Sequence, residues 1–177
     1  MKKINIVGTS GSGKSTLGRR LAAVLNVEYI EMDALFWGPN WTETPDELFF
    51  PKVEAALAGK DGWVLDGNST RTIPVKWKDV DMVIWIDLPF WLNLKQSVSR
   101  ALHRIWTKEE MWPGTGNVEE WGKLFSRNSI VWWMIKVYWR NRKRNVQWFT
   151  AEEYAHINFV RLRSHREISD FLHKFGN

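Results

Sequence analysis

Cysteine is absent from the 177 residues of this chain. Disulfide bonds, thiolate metal sites and cysteine nucleophiles are therefore excluded, and the absence fits a reducing compartment. Long hydrophobic runs are also missing. The longest, Ile130 to Trp139, has about half of the roughly 20 residues that span a bilayer, and Lys136 interrupts it. The apolar start, Ile4 to Val7, is too short for a secretory signal peptide, so we expect a cytoplasmic protein.

Tryptophan, by contrast, is abundant, with 13 residues. Most tryptophans pack in partly buried positions, although an aromatic face can also stack on a base. The four histidines have no metal-ligand spacing. The net charge of +5 is local, because one segment, 136–144, contains five bases and no acid: Lys136, Arg140, Arg142, Lys143 and Arg144. This basic segment either faces phosphates of a ligand or nucleic acid, or is a solvated helix end.

Apolar runs alternate with amphipathic segments along the chain. The runs predict five strands, at 4–7, 27–30, 63–67, 82–87 and 157–162. Helical spacing predicts helices at 14–25, 45–57, 90–106, 123–144 and 167–174. Strands that are apolar throughout suit a parallel sheet covered by helices on both faces. The sequence thus predicts one α/β domain, 1–177, with a loop at 32–45 and a lid insertion at approximately 107–128.

The sharpest motif lies between the first predicted strand and the first predicted helix. It matches G-x-x-x-x-G-K-[ST] without a mismatch and reads Gly8-Thr9-Ser10-Gly11-Ser12-Gly13-Lys14-Ser15, followed by Thr16. In such a P-loop, backbone N–H groups and the helix N-terminus face phosphate oxygens. Lys14 is expected to reach the β- and γ-phosphates, and the Ser15 hydroxyl to coordinate Mg²⁺. The motif predicts ATP and Mg²⁺ as cofactors, although it does not distinguish ATP from GTP.

A P-loop needs an acid at the end of a neighbouring strand to hold the metal. Asp66 and Asp87 both occupy such positions. Asp66 is favoured because Gly67 follows it at once and the polar segment beyond supplies Arg71. Asp87 is the alternative, and it otherwise serves as a turn or cap residue before Pro89.

The segment Gly62-Trp63-Val64-Leu65-Asp66-Gly67, followed by Arg71-Thr72, resembles the third-strand region of adenylate kinases. More closely, the chain resembles the bacterial P-loop kinase-like family named after topology modulation. The residues that carry this likeness are Asp33-Ala34-Leu35-Phe36-Trp37, Trp41, Asp66-Gly67-Asn68, Asp87-Leu88-Pro89 and Arg100. The resemblance implies a three-layer P-loop fold with sheet order 2-3-1-4-5 and a helical lid after the fourth strand.

Candidate catalytic residues come from this resemblance. Asp33 matches the position where shikimate-type kinases place an acid near the acceptor hydroxyl, or else it caps its loop. Arg71 matches an arginine that grips an acceptor phosphate. Arg100 and Arg104, one helical turn apart, match arginines that neutralise the transferring phosphate, or else they lie on a solvated helix face.

Two functions follow from these patterns. The first is an ATP-dependent phosphotransferase, similar to small-molecule or nucleoside monophosphate kinases, that acts on a small acceptor which the sequence does not identify. The second is a nucleotide-dependent regulatory protein in which the basic segment binds nucleic acid, as the proposed effect on DNA topology implies. Attachment of that segment to an anionic membrane is a third, weaker possibility. The sequence does not indicate an oligomeric state.

Overall fold

A computed structural model describes residues 2–124 and 129–175 of the chain. Its sheet has five parallel strands, β1 (Lys3–Gly8), β2 (Glu28–Glu31), β3 (Trp63–Asp66), β4 (Met82–Ile86) and β5 (Asn158–Leu162). The order is β2-β3-β1-β4-β5, which confirms the predicted arrangement. In this register Ile6 lies opposite Asp66 and Gly8 opposite Ile86, so the carboxyl ends of the three central strands meet at one edge.

Helices connect the strands. They are α1 (Lys14–Leu25), α2 (Met32–Phe36), α3 (Asp46–Leu57), α4 (Ile73–Lys76), α5 (Phe90–Thr107), α6 (Trp121–Leu124), α7 (Ile130–Thr150) and α8 (His165–His173). None of the described helices is both long and apolar enough to cross a membrane. Ser164 caps α8 by accepting a hydrogen bond from the Glu167 amide at 3.1 Å, as the capping-box pattern predicts.

The helix α4 was not predicted, and two further segments differ from the prediction. The expected loop at 32–45 contains α2 and a short 3₁₀ turn, Pro39–Trp41, because Met32 is buried and anchors a helical turn directly after β2. The helix predicted at 123–144 is observed as α7, which starts at Ile130 with Ser129 as its cap and continues to Thr150. Trp148 explains the extension, since it is buried against the sheet core. The part of the predicted lid at 125–128 lies outside the described residues.

Apolar side chains cover both faces of the sheet. On one face Ile6 and Ile84 pack against Leu17 and Leu21 of α1. On the other face Val7 and Leu65 join a cluster with residues of α3, α4 and the end of α7. Five tryptophans are buried, at positions 63, 77, 85, 112 and 148, so core packing accounts for only part of the tryptophan content.

Asn5 is the polar exception in the middle of β1, and it is fully buried. Its Nδ2 donates to the Leu65 carbonyl at 3.0 Å and the Gly67 carbonyl at 3.3 Å, and its Oδ1 accepts from Trp77 Nε1 at 2.8 Å. These bonds satisfy the amide and fix the chain beyond β3 against β1, which positions the segment that carries Asp66.

We expect Asn5→Ala to lower the free energy of unfolding by about 2 kcal/mol, because the Trp77 N–H and the Gly67 carbonyl lose a buried partner. Urea denaturation would measure the change. The half-buried Asn141 of α7 provides the matched control, and Asn141→Ala should change stability by less than about 0.5 kcal/mol. Equal changes in the free energy of unfolding would show that the buried amide of Asn5 stabilises the fold no more than the half-buried amide of Asn141 does.

Candidate active site

The P-loop, Gly8–Thr16, runs from the end of β1 into α1. Gly13 lies at the helix N-terminus with φ of 92°, a conformation that disfavours any side chain, and a Cβ there would point into open space. Gly11 packs against α5, where a Cβ would lie 2.2 Å from Ser97 Oγ. The loop is therefore closed against α5 on one side and open at Gly13, where a phosphate can approach.

The loop carries donors that suit an anion. Ser12 is fully buried, and its hydroxyl has no partner among the described residues. Among the described residues, Lys14 Nζ makes one long contact, 3.4 Å, to the Thr9 carbonyl. In addition, no side chain of the described residues caps the N-terminus of α1, so its backbone amides remain available. These donors fit the phosphates of a nucleotide.

Ser15 and Asp66 meet beside the loop. The Ser15 hydroxyl donates to Asp66 Oδ2 at 2.7 Å, and the Tyr29 hydroxyl donates to the same oxygen at 3.2 Å. Burial, Asp66 and Glu31 raise the pKa of Tyr29, so its hydroxyl stays protonated and remains a donor. A hydroxyl and one carboxylate at this distance suit Mg²⁺, which completes its coordination with water and phosphate oxygens. The described residues contain no cluster of three or more metal-binding side chains, and Mg²⁺ does not require one.

Asp87 has different partners. It is nearly buried, and it forms salt bridges with Arg161 of β5 and, at 3.3 Å, with Arg142 of α7. These pairs neutralise its charge and join α7 to the sheet edge. Asp66 is thus the acid that lies against the P-loop serine, and Asp87 is engaged in holding α7.

Asn68, directly after Asp66-Gly67, fastens the start of the P-loop. Its Oδ1 accepts from the Gly8 amide at 2.8 Å, and its Nδ2 donates to the Gly8 carbonyl. Behind it, Lys76 is fully buried and donates to the Gly67 carbonyl at 3.2 Å. Burial and Arg144 lower the pKa of Lys76 to about 7. Sequence reasoning missed Lys76, although a lysine inside the apolar run Ile73–Trp77 was a signal of an unusual buried base.

Asp33 lies in the first turn of α2, beyond the end of β2. Asp33 is exposed to solvent, although enough protein lies around its carboxyl group to desolvate it in part. This desolvation raises the pKa of Asp33 to about 6; Lys14 opposes the shift, and Asp66 and Glu31 add to it. The structure thus brings Asp33 into the electrostatic range of both the P-loop lysine and the candidate metal ligand.

Arg71 has a set of partners that the sequence did not indicate. Its guanidinium forms a salt bridge of 2.7 Å with Asp46 at the start of α3. It also lies 5.1 Å from the ring of Phe36 and 5.7 Å from that of Phe49. The arginine is therefore neutralised and held against α2 and α3, which argues against a free charge awaiting an acceptor phosphate.

Arg100 and Arg104 both project from α5 towards an acid of the following segment. Arg104 lies 3.9 Å from Glu119. Burial raises the pKa of Glu119, although both arginines oppose the shift. Arg100 also interacts electrostatically with Asp66 and Glu31. The two arginines therefore face the P-loop edge of the sheet, and Glu119 occupies the place of an anion between them.

The segment after α5 closes over α2 through aromatic contacts. Trp112 is buried and stacks on Trp37 at 6.0 Å, while Trp41 meets both rings edge-on. Trp112 Nε1 donates to Glu31 at 3.2 Å. Asn117 is also buried; its side chain accepts from the Trp41 amide and donates to the Gly38 carbonyl, both at 2.9 Å. These contacts attach the predicted lid to the loop that follows Asp33.

The basic segment 136–144 is less free than its composition suggested. Arg142 pairs with Asp87, and the Arg144 guanidinium lies 4.9 Å from the Trp148 ring. Three exposed bases remain on this segment, Lys136, Arg140 and Lys143. The fold thus uses two of the five bases in internal contacts, and three remain exposed to an external partner.

A cavity of about 350 Å³ lies on the other side of the P-loop. Ser12, Thr16 and Arg20 line it from the loop and α1, and Gln96 and His165 line it from α5 and α8. It adjoins the segment Arg163-Ser164-His165 that follows β5, and its size suits the base of a nucleotide.

Part of the chain is similar in sequence to known proteins. A family model described as shikimate kinase matches residues 10–56. The shikimate kinase of Sulfurihydrogenibium sp. is 30% identical over half of this chain, and that of Corynebacterium glutamicum is 36% identical over 48% of it. These alignments span 61% and 57% of the relatives' own lengths.

Solved structures match nearly the whole chain. A gluconokinase from Sinorhizobium meliloti has a TM-score of 0.55 at 14% identity and covers 98% of this chain and 89% of its own. A shikimate kinase from Acinetobacter baumannii, solved with shikimate, has a TM-score of 0.54 at 15% identity, with 98% and 90% covered. The fold is that of the small P-loop kinases. The narrower resemblance to topology-modulation proteins stays a prediction.

The environment of Asp33 predicts a pH-dependent stability. Its folded pKa of about 6 exceeds the unfolded value, so the ionised carboxylate destabilises the fold above pH 6, and this cost fades as pH falls towards 4. Asp33→Asn should therefore raise the free energy of unfolding at pH 7.5 by about 1 kcal/mol, a figure reduced for solvent exposure, and by less at pH 4.5.

Urea titrations at the two pH values would measure this difference. Asp170→Asn, in the exposed pair with Arg166 on α8, is the control and should have little effect at either pH. A stabilisation by Asp33→Asn that is as large at pH 4.5 as at pH 7.5 would contradict the raised pKa.

Proposed function

We propose that this protein is a phosphotransferase that moves the γ-phosphate of ATP to a hydroxyl of a small molecule. The observation that carries the proposal is the 2.7 Å hydrogen bond between Ser15 and Asp66, at the edge of the sheet where Asp33 lies within electrostatic range. Phosphate donors, a magnesium position and a candidate base thus occur together. The fold and the partial matches to shikimate kinases also support a phosphotransferase activity.

On the nucleotide side, the P-loop amides and Lys14 bind the phosphates, and Ser15 with Asp66 holds Mg²⁺. When bound, the metal ion neutralises charge on the phosphate oxygens. The cavity lined by Gln96 and His165 receives the base. Asn68 bonds to Gly8 and so holds the start of the loop beside the end of β3, close to the metal ligand.

On the acceptor side, Asp33 accepts the hydroxyl proton while the acceptor oxygen forms its bond to phosphorus and the bond to the β-phosphate oxygen breaks, which releases ADP. A pKa of about 6 leaves Asp33 mostly ionised at pH 7.5, yet more basic than an ordinary carboxylate. Arg100 and Arg104 exchange Glu119 for the transferring phosphate and stabilise its charge. The lid segment with Trp112 excludes water, which would otherwise hydrolyse ATP.

The regulatory alternative has less support. The three exposed bases on α7 allow only a few phosphate contacts, and such binding is weak and strongly salt-dependent. Neither a base-reading motif nor a groove-binding element adjoins them in the described part of the chain. The catalytic proposal, in contrast, accounts for Ser15, Asp66 and Asp33 together.

An acceptor screen that follows ADP formation tests the proposal. Lys14→Ala should lower acceptor-dependent ADP formation at least about a hundredfold, because the β- and γ-phosphates lose their main charge partner. The exposed Lys52 of α3 gives the matched control, and Lys52→Ala should retain wild-type rates. If the wild type never exceeds the Lys14→Ala background with any class of hydroxyl acceptor, the proposed activity is wrong.

The metal assignment has its own test, the Mg²⁺ concentration that half-saturates ADP formation. Asp66→Asn should raise it about tenfold or more, because a neutral amide replaces the only proposed carboxylate ligand. Asp87→Asn should lower stability by breaking the pairs with Arg142 and Arg161, but leave the Mg²⁺ requirement unchanged. The opposite pattern would assign the metal to Asp87.

A further inference from the structure

Helices α5 and α7 contain no aspartate or glutamate, although the chain has 20 of these acids. The two helices pack against each other and together contain eight lysines and arginines. Asp87, the acid just before α5, is nearly buried and already paired with Arg142 and Arg161. Four of the eight bases are exposed and have no role in the candidate active site: Lys95, Lys136, Arg140 and Lys143. The two helices therefore present positive charge without an acid of their own to balance it.

Tryptophan is exposed on the same two helices. Six of the 13 tryptophans are exposed, and five of the six lie on α5 or α7: Trp91, Trp106, Trp132, Trp133 and Trp139. Trp91 is 75% exposed and Trp139 is 63% exposed. A tryptophan side chain is usually buried for most of its area, and a group of exposed ones indicates a binding surface.

One side of α7 combines the rings with the bases. At 3.6 residues per turn, the side chains of Trp132, Lys136, Trp139, Arg140 and Lys143 leave the helix within an arc of about 100°. The opposite side is buried, and Tyr138 on that side donates to the Leu88 carbonyl at 2.9 Å. The orientation of α7 is thus fixed by the core, and the rings and bases face outward together.

Phe90 extends this surface to α5. Its ring stacks on Trp139 at 6.3 Å and meets Trp91 edge-on at 5.0 Å. The resulting surface, named the α7 face below, consists of Trp91, Trp132, Lys136, Trp139, Arg140 and Lys143.

The charge and shape of the α7 face distinguish between partners. A symmetric contact with a second copy would place these bases against the same bases, and neither α5 nor α7 supplies an acid to pair with them. Single-stranded nucleic acid is bound in basic grooves with open ring faces, whereas the α7 face is the convex outside of a helix and Phe90 covers one side of Trp139.

An anionic lipid surface suits both features. A planar surface can contact the exposed side of a helix along its whole length. Indole rings favour the headgroup region of a bilayer, and lysine and arginine interact with anionic headgroups beside it.

We propose that the α7 face attaches this protein reversibly to an anionic membrane surface. In the attached state the rings of Trp91, Trp132 and Trp139 lie among the lipid headgroups, and the three bases of α7 contact lipid phosphates. The attachment is peripheral, since none of the described helices is suited to cross a bilayer. It is independent of the proposed phosphotransferase activity, because no side chain of the α7 face is assigned to the active site.

Sedimentation with vesicles tests the proposal with the wild-type chain. Phosphatidylcholine vesicles that contain about 30% phosphatidylserine should bind the chain at least about tenfold more strongly than pure phosphatidylcholine vesicles, and about 0.5 M salt should remove most of this difference. Equal binding to both compositions, or to neither, would overturn the proposal. Binding to a single-stranded oligonucleotide, or dimer formation at low salt, without binding to the anionic vesicles would also overturn it and assign the face to that partner.

The contribution of the bases is tested with a charge-matched pair of variants. Lys136→Gln combined with Lys143→Gln should weaken binding to the anionic vesicles about tenfold, because both lysines approach the lipid phosphates. Lys52→Gln combined with Lys174→Gln removes the same charge from exposed positions in α3 and at the end of α8, and should weaken binding less than about twofold. Equal losses would contradict the proposal, since net charge rather than the α7 face would then attract the chain.

The contribution of the rings is tested with Trp91→Ser combined with Trp132→Ser. This variant should bind the anionic vesicles about fivefold more weakly, and lipids with brominated acyl chains should quench its fluorescence less than that of the wild type. Leu48→Ser, at a 59% exposed position of α3, is the control and should bind as the wild type does. Circular dichroism confirms that each variant is folded. Unchanged binding and quenching in the folded tryptophan variant would show that the α7 face does not dock on the membrane.

Discussion

The hydrogen bonds between the end of β3 and the P-loop are the constraint on which the rest of the site depends. Ser15 binds Asp66, and Asn68 binds both backbone groups of Gly8, so residues more than fifty positions apart in sequence move together. Asn5 and Lys76 hold the same segment from behind through the Gly67 carbonyl. These bonds fix the position of the phosphate loop relative to the candidate metal ligand.

Local patterns were sufficient for the phosphate half of the site. The Gly8–Ser15 motif fixes its own geometry, since a strand, a glycine turn and a helix N-terminus are all encoded within about twenty residues. The bounds of α1 were predicted correctly for the same reason. The strand order came from family resemblance, because apolar runs show that a strand is buried but not which strand lies beside it. The preference for Asp66 over Asp87 agrees with the observed contacts of both.

The acceptor half depended on pairings that no local pattern contains. Asp46 reaches Arg71 across 25 positions, and Trp112 reaches Glu31 across 81, so the sequence could show the residues but not their partners. The basic segment shows the same limit, since its composition does not reveal that Arg142 pairs with Asp87. Trp148 extended α7 beyond its predicted end because burial against the sheet outweighs the weak helix-stop signals there. Tertiary contacts therefore decide which of these charged groups already have a protein partner.

Phosphate binding and acceptor binding are thus proposed for the same edge of the sheet, where Asp33 interacts with both Lys14 and Asp66. The most direct measurement of this account is ³¹P NMR of MgATP incubated with the protein and a set of hydroxylated acceptors, with Lys14→Ala as the reference. The account predicts that the γ-phosphate signal is replaced by a new phosphomonoester signal as ADP accumulates, and that the Lys14→Ala sample remains unchanged. Release of inorganic phosphate alone, or persistence of ATP in the wild-type sample, would contradict it.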